Sequence, residues 1–160
     1  MCPDLGDKNA KWNNERLLIF TDCYDVVFCV SPDKIINKFS EMKTRDKFDI
    51  LISSEAHIWP DRSLEPQFPD VGTPYKYLNS GGFMGSIKDI KKMIQPHIES
   101  YDDDQYYYQI QYLKSVKKET DLVIKLDAKA EIFQTLSSHF HDIDIDFGRS
   151  CIKNSLTNSE

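Results

Sequence analysis

The chain has 160 residues, of which 26 are acidic and 20 are basic, so its formal net charge at pH 7 is −6. Hydrophobic residues make up 40% of the chain and aromatic residues 12%, which is enough for a packed core and argues against intrinsic disorder. The acidic excess disfavours a nucleic acid or an anionic membrane as partner, because either would require a clustered basic surface. No apolar run approaches the length of a membrane-spanning helix.

Residues 17–52 predict a strand, a helix and a second strand. Residues 17–20 are a short apolar run, typical of a buried parallel strand, and acid follows at Asp22. A helix is predicted from Ser31, because Pro32 follows it and apolar residues then recur at helical spacing. Residues 48–52 are a second buried-strand candidate, so the three elements indicate a βαβ unit.

The middle of the chain predicts a loop, a strand and a helix. Residues 59–72 are rich in proline, and long ordered loops in compact domains usually serve a site. A strand is predicted for 75–85, in which the paired glycines of Asn79–Gly82 permit positive φ and close backbone approach. A helix is expected over 87–94.

The last third predicts one helix and two strands. The helix opens at Asp102, with Tyr106, Ile110 and Leu113 on one face. Residues 122–126 form a third buried-strand candidate, and 141–147 alternate Asp with Ile like a half-exposed strand. These elements together predict a single α/β domain over 17–155, with a polar N-terminal segment at 1–16 and a C-terminal tail at 156–160.

Asp22 and Asp25 are candidate metal ligands. They follow an apolar strand, where open α/β sheets place their ligands, and two carboxylates three residues apart can converge on Mg²⁺ or Mn²⁺. The alternative is that Asp22 caps a turn and Asp25 is solvated. A phosphatase of the haloacid dehalogenase type also places acid after such a strand, but its two aspartates are two residues apart, which counts against that reading.

The run Asp102, Asp103 and Asp104 has two interpretations. Asp is favoured at the N-cap and first turn of a helix, so capping alone explains one of the three. Three adjacent carboxylates repel one another, and their retention is explained if one of them faces a cation, a sugar hydroxyl or a charged transition state. The residues alone allow both interpretations.

Three further features have a functional and an ordinary interpretation. Trp59 is either a platform on which a sugar ring stacks or an apolar plug that anchors its loop. Asn79–Gly82 is either a ligand cradle or a plain bend, and it lacks the lysine of a Walker-type phosphate loop. His139 and His141 lack a third ligand at matching spacing, so a zinc pair is disfavoured.

Five segments in order resemble the glycosyltransferase domain of the multifunctional procollagen lysyl hydroxylases, and together they cover residues 17–155. They are 18–28, 54–61, 78–85, 102–105 and 126–136.

The resemblance implies a GT-A-like α/β fold with a mixed sheet, a Mn²⁺ cofactor and a UDP-sugar donor, UDP-glucose or UDP-galactose. The acceptor it implies is the hydroxylysine or galactosyl-hydroxylysine of a collagen-like chain, in the lumen of the endoplasmic reticulum. By the same resemblance Asp22 and Asp25 are the metal-binding acids. Trp59, Asp103 and Asp104 are the residues of catalysis or acceptor placement, and the donor-sugar cradle consists of Asn79, Ser80, Gly81 and Gly82.

The sequence also departs from the family pattern. Family domains have an earlier strand and helix region that holds the nucleotide base, and a later His-Gly-Asn-Gly stretch whose His is the third metal ligand. Ala128 stands where family members often carry His. These departures predict impaired transfer by the 160 residues alone, and they favour as an alternative a noncatalytic interaction module that keeps the scaffold. An unpaired sheet edge and self-association are also expected. The first ten residues have no secretory-signal pattern.

Overall fold

The computed structural model describes residues 14–95, 103–137, 140–146, 148–149 and 151–157. The strands are β1 (Leu17–Thr21), β2 (Ile50–Glu55), β3 (Tyr77–Ser86), β4 (Ile124–Leu126), β5 (Ile143–Asp146) and β6 (Cys151–Asn154). The α-helices are α1 (Pro32–Asp46), α2 (Ile87–Ile94) and α3 (Asp104–Val116), and short 3₁₀ helices cover Arg62–Gln67 and Phe140–Asp142. The α/β class expected from the sequence is confirmed.

Four strands form a mixed sheet in the order β1-β3-β2-β4. The long strand β3 is antiparallel to both β1 and β2, whereas β4 is parallel to β2. The predicted βαβ unit therefore exists only in modified form: β1 and β2 run in the same direction with α1 between them in sequence, but β3 lies between them in the sheet. A separate antiparallel pair consists of β5 and β6.

The prediction that residues 17–20 form a buried parallel strand is wrong. In the described structure β1 lies at the edge of the sheet and pairs only with β3, in an antiparallel register. Its four apolar side chains are each between 37% and 42% exposed. An apolar run predicts a strand, but the number of neighbours that cover it is decided by distant parts of the chain.

The two faces of the sheet bury two apolar clusters, because side chains alternate along each strand. Leu51 and Met84 pack against α1 on one face. Ile50 and Ile52 pack against α2 and α3 on the other. The sheet is thus the middle layer between α1 and the pair α2 and α3.

The predicted apolar face of α3 is only partly correct. Leu113 is buried, but Tyr106 is exposed and Ile110 is half-buried. The inner face instead carries Gln105, Tyr108, Gln109, Tyr112 and Leu113. The glutamines were not expected there, because a buried amide is stable only when distant groups pair with it.

The segment Asn79–Gly82 lies inside β3, at the point where the register between β2 and β3 shifts, so this part of the strand is irregular. Neither Gly81 nor Gly82 has a positive φ, and among the described glycines only Gly72 does. The close backbone approach expected of the pair is confirmed at both glycines. No helix in the described part of the chain has the length and apolarity that a bilayer crossing requires.

Candidate active site at the end of the sheet

Asp22 lies directly against Gly81. The Asp22 N–H donates to the Gly81 carbonyl at 3.0 Å, which continues the pairing of β1 with β3. A Cβ placed on Gly81 would come 2.9 Å from Asp22 Oδ2 and 3.0 Å from Asn79 Oδ1. Glycine at position 81 therefore keeps the space that the Asp22 carboxylate and the Asn79 amide occupy.

The Asp22 and Asp25 side chains have the chemistry of a site for a hard divalent cation. Both residues are exposed and follow β1 within one short bend. Among the described residues, neither carboxylate has a hydrogen bond or an ion pair that occupies its oxygens. Two free carboxylates suit Mn²⁺ or Mg²⁺. Within the described ranges no group of three His, Cys, Asp or Glu side chains could complete the ligand set, so water or a ligand would supply the rest.

The segment Asn79–Gly82 is held from both sides. The Gly81 N–H donates to Asn79 Oδ1 at 3.0 Å, and the Asn79 side chain lies near enough to the Glu55 carboxyl to lower its pKa. A Cβ on Gly82 would come 2.8 Å from the Phe133 ring, so glycine lets that ring lie on the strand. The predicted cradle is thus an irregular part of β3 in which Ser80, Gly81 and Gly82 have small side chains.

Gln105 connects three parts of the site, and its role was not predicted. Its amide nitrogen donates to Glu55 Oε1 at 2.7 Å and to the Trp59 carbonyl at 3.0 Å. Its amide oxygen accepts from the Ser80 N–H at 3.2 Å. This buried side chain therefore links the end of β2, the proline-rich loop and the cradle in β3. The sequence feature that could have indicated this role is the position of Gln105 directly after the acidic run at the start of α3.

Glu55 is the second residue that the sequence reasoning did not assign to the site. It is half-buried at the end of β2, and desolvation raises the pKa of its carboxyl. Hydrogen bonds from the Gln105 and Asn79 side chains and the nearby His57 oppose that rise, because they stabilise the charged form. Glu55 therefore holds the Gln105 side-chain amide at this end of the sheet.

The Trp59 ring is 64% exposed, so it is not the buried plug that one interpretation required. Its backbone is well held, because the Trp59 carbonyl accepts hydrogen bonds from two glutamines of α3. An exposed indole on a held backbone can present its face to a ligand.

Asp103 is the N-cap of α3, and its side chain accepts from the Tyr106 N–H at 2.9 Å. This is the capping role that the sequence suggested for one of the three acids. Asp104 lies in the first turn and is exposed. Asp102 and His139 lie outside the described residues.

Asp127 organises the loop that covers this end of the sheet, and it was not predicted as a site residue. It is 1% exposed and accepts from the N–H groups of Glu131, Ile132 and Phe133 at 2.7–2.9 Å. Burial raises the pKa of the Asp127 carboxyl, and the three N–H donors oppose that rise. Its structural task is therefore to hold Phe133 over the cradle.

A cavity of about 430 Å³ lies between α1, α3 and β4. None of the predicted site residues lines it. Among its charged lining residues, Arg45 forms ion pairs with both Asp46 and Glu131. The cavity therefore adjoins the loop that Asp127 organises, but it contains none of the predicted site residues.

Fold and site together define a GT-A-like α/β domain with carboxylates after its first described strand. The family model described as the PLOD GT domain matches residues 7–160, so the chain belongs to that family.

Several curated relatives support this assignment. A Mus musculus procollagen-lysine,2-oxoglutarate 5-dioxygenase 2 is 36% identical over 145 residues, which are 89% of this chain and 19% of the relative. A Caenorhabditis elegans multifunctional procollagen lysine hydroxylase and glycosyltransferase is 36% identical over 146 residues, covering 89% and 20%. The uncharacterized protein R699 of Acanthamoeba polyphaga mimivirus is 37% identical over 146 residues, covering 91% and 30%. The chain thus spans less than a third of the length of each.

Proposed function

We propose that this chain carries out, or forms the core of, Mn²⁺-dependent glycosyl transfer from a UDP-sugar, with UDP-glucose as the first candidate. The acceptor class is the galactosyl-hydroxylysine of a collagen-like chain, and the compartment is the lumen of the endoplasmic reticulum. The family and the names of the relatives support the reaction class. The donor, the metal, the acceptor and the compartment are proposals.

One observation carries the proposal. Acidic side chains without described partners, a strand segment with two glycines and an exposed indole are joined by one network of contacts. Asp22 lies on Gly81, and the Ser80 N–H bonds Gln105, whose amide also holds Trp59. A donor sugar requires polar groups that fix its hydroxyls and an apolar face that packs on its ring. This end of the sheet offers both.

Each predicted residue has a part in the proposed reaction. Asp22 and Asp25 would hold the metal ion, which when bound neutralises charge on the diphosphate leaving group. Asn79–Gly82 would bind the donor sugar, because a strand without bulky side chains allows close approach. Trp59 would stack on a sugar ring, and Asp104, exposed beside Gln105, would orient an acceptor hydroxyl.

The metal site can be tested by calorimetric titration of Mn²⁺ into the wild-type chain and Asp22→Asn. Binding should be weak, because a hard cation takes about six oxygens and water must supply most of them. Asp22→Asn should lower the affinity by about tenfold or more, because one of the two charged ligands is lost. The matched control is Asp121→Asn, an exposed aspartate outside the candidate site. Equal affinities in all three proteins would refute the site.

Transfer can be tested as UDP release from UDP-glucose, with Mn²⁺ and a galactosyl-hydroxylysine peptide. Any release should require both the peptide and Asp22. Mn²⁺-dependent binding of UDP-glucose without any release would favour the noncatalytic scaffold. Binding of neither Mn²⁺ nor UDP-glucose would contradict the proposal as a whole.

A further inference from the structure

The Trp59 carbonyl accepts two side-chain amides from the same helix. Gln105 Nε2 donates at 3.0 Å and Gln109 Nε2 donates at 2.6 Å. The two glutamines are four residues apart, so they lie one above the other on one face of α3. A carbonyl oxygen has two lone pairs and can accept both hydrogen bonds.

Gln109 bears an energetic cost at this position. The side chain is 0% exposed, and its Oε1 has no hydrogen-bond partner among the residues that the structure describes. A buried acceptor without a partner is unfavourable, and an apolar side chain of similar length would avoid that cost. The amide at position 109 therefore requires a reason other than stability.

That reason is not the pairing of the Trp59 carbonyl, because Gln105 already donates to it. The amide of Gln105 is shared, since its nitrogen also donates to Glu55. Gln109 donates to Trp59 alone among its described contacts, and at the shorter distance. A second donor from a rigid helix restricts the direction of the carbonyl and hence the orientation of the residue that bears it.

We propose that Gln109 is a positioning residue of the Trp59 loop, which holds the exposed indole toward the donor and acceptor side of the site. The consequence for catalysis rests on the proposed function, whereas the restraint on Trp59 does not. The unpaired Oε1 is the cost of that restraint.

The restraint can be measured through Trp59 itself. The chain has two tryptophans, and replacement of Trp12 by Phe leaves Trp59 as the only one. In that background Gln109→Met removes the amide and keeps the length of the side chain. Gln111→Met is the matched control, since Gln111 is a half-buried glutamine of α3 with no described hydrogen bond to Trp59. The measurement is the decay of Trp59 fluorescence anisotropy.

We expect Gln109→Met to increase the amplitude of the fast local component, because the loop keeps only the shared donor. The thermal midpoint should stay equal or rise, because the unpaired acceptor is gone. In the UDP-release assay kcat/KM should fall about fivefold, the effect of one neutral hydrogen bond. Gln111→Met should leave anisotropy and turnover unchanged.

An unchanged anisotropy decay in Gln109→Met would overturn the proposal, as would an equal change in Gln111→Met. A large fall in the thermal midpoint with unchanged anisotropy would show that Gln109 only packs the core. If the wild-type chain releases no UDP, transfer by this chain alone is refuted, and the anisotropy still decides whether Gln109 restrains Trp59.

Discussion

Neighbouring side chains at the start of α3 differ in their surroundings and contacts. Asp103 caps the helix through the Tyr106 N–H, whereas the adjacent Asp104 is exposed in the first turn. Gln105 then turns inward and joins Glu55, Trp59 and Ser80. Of the two acids that the structure describes, the cap therefore explains only Asp103.

The two acids can be separated by substitution. Asp103→Ala should lower the free energy of unfolding by about 1 kcal/mol, because the cap is lost, whereas Asp103→Asn should keep it. Asp104→Asn should leave stability almost unchanged and lower UDP release per folded molecule. The measurements are thermal denaturation and the transfer assay. If Asp104→Asn unfolds while each folded molecule keeps full activity, Asp104 serves the helix and not the reaction.

Between elements, an ion-pair cluster joins α1 to the loop that Asp127 organises. Glu131 contacts Arg45 Nη2 at 2.6 Å and Lys38 Nζ at 3.1 Å, and its side chain is 13% exposed. The Arg45 guanidinium, with help from Lys38, lowers the pKa of the Glu131 carboxyl. The cluster therefore connects the helix on one face of the sheet to the loop that covers the cradle.

Glu131→Gln should destabilise the protein near pH 7 and not in acid. A lowered folded-state pKa means that the carboxylate stabilises the fold above its ordinary value of 4.5 and loses that effect as pH falls through the folded value. The difference near pH 7 should be at most about 1 kcal/mol, because Arg45 is half exposed and solvent screens the pair. Urea denaturation near pH 7 and at about pH 2.5 measures it.

The matched control for that experiment is Glu41→Gln, an exposed glutamate of α1 for which no ion pair is described. It should change little at either pH. A loss of equal size in Glu131→Gln at both pH values would show that packing, and not charge, explains the effect.

For the whole molecule, β1 is an edge strand of the mixed sheet, and among the described strands only β3 pairs with it. The Arg16 carbonyl accepts from the Ile87 N–H just after β3, and the Asp22 N–H donates to the Gly81 carbonyl of β3. By the alternation of an antiparallel pair, the backbone groups of Leu17, Ile19 and Thr21 therefore point to the edge. In an antiparallel pair of two copies centred on Ile19, Arg16 of one copy lies opposite Asp22 of the other. Geometry and charge therefore both permit self-pairing.

We expect the chain to form a dimer at high concentration through this edge. Ile19→Lys should abolish it, because a charged residue blocks edge pairing. Ile36→Lys is the control, since Ile36 is an exposed residue of α1. Light scattering after size-exclusion chromatography over a concentration series measures the mass. A monomer at every concentration, or a dimer that survives Ile19→Lys, would contradict this expectation.

The sequence by itself determined the features that depend on neighbouring residues. The predictions of α1, β2, β4 and the family were correct. They rest on periodicity, capping and short motifs, which are local features of the sequence. Only the tertiary structure placed β3 between β1 and β2 and left β1 half exposed, because strand pairing joins residues far apart in sequence. The tertiary structure also decided that Gln105 and Gln109 are buried. A polar side chain can be buried only where distant groups pair with it, and here the acceptors are Glu55 and the Trp59 carbonyl.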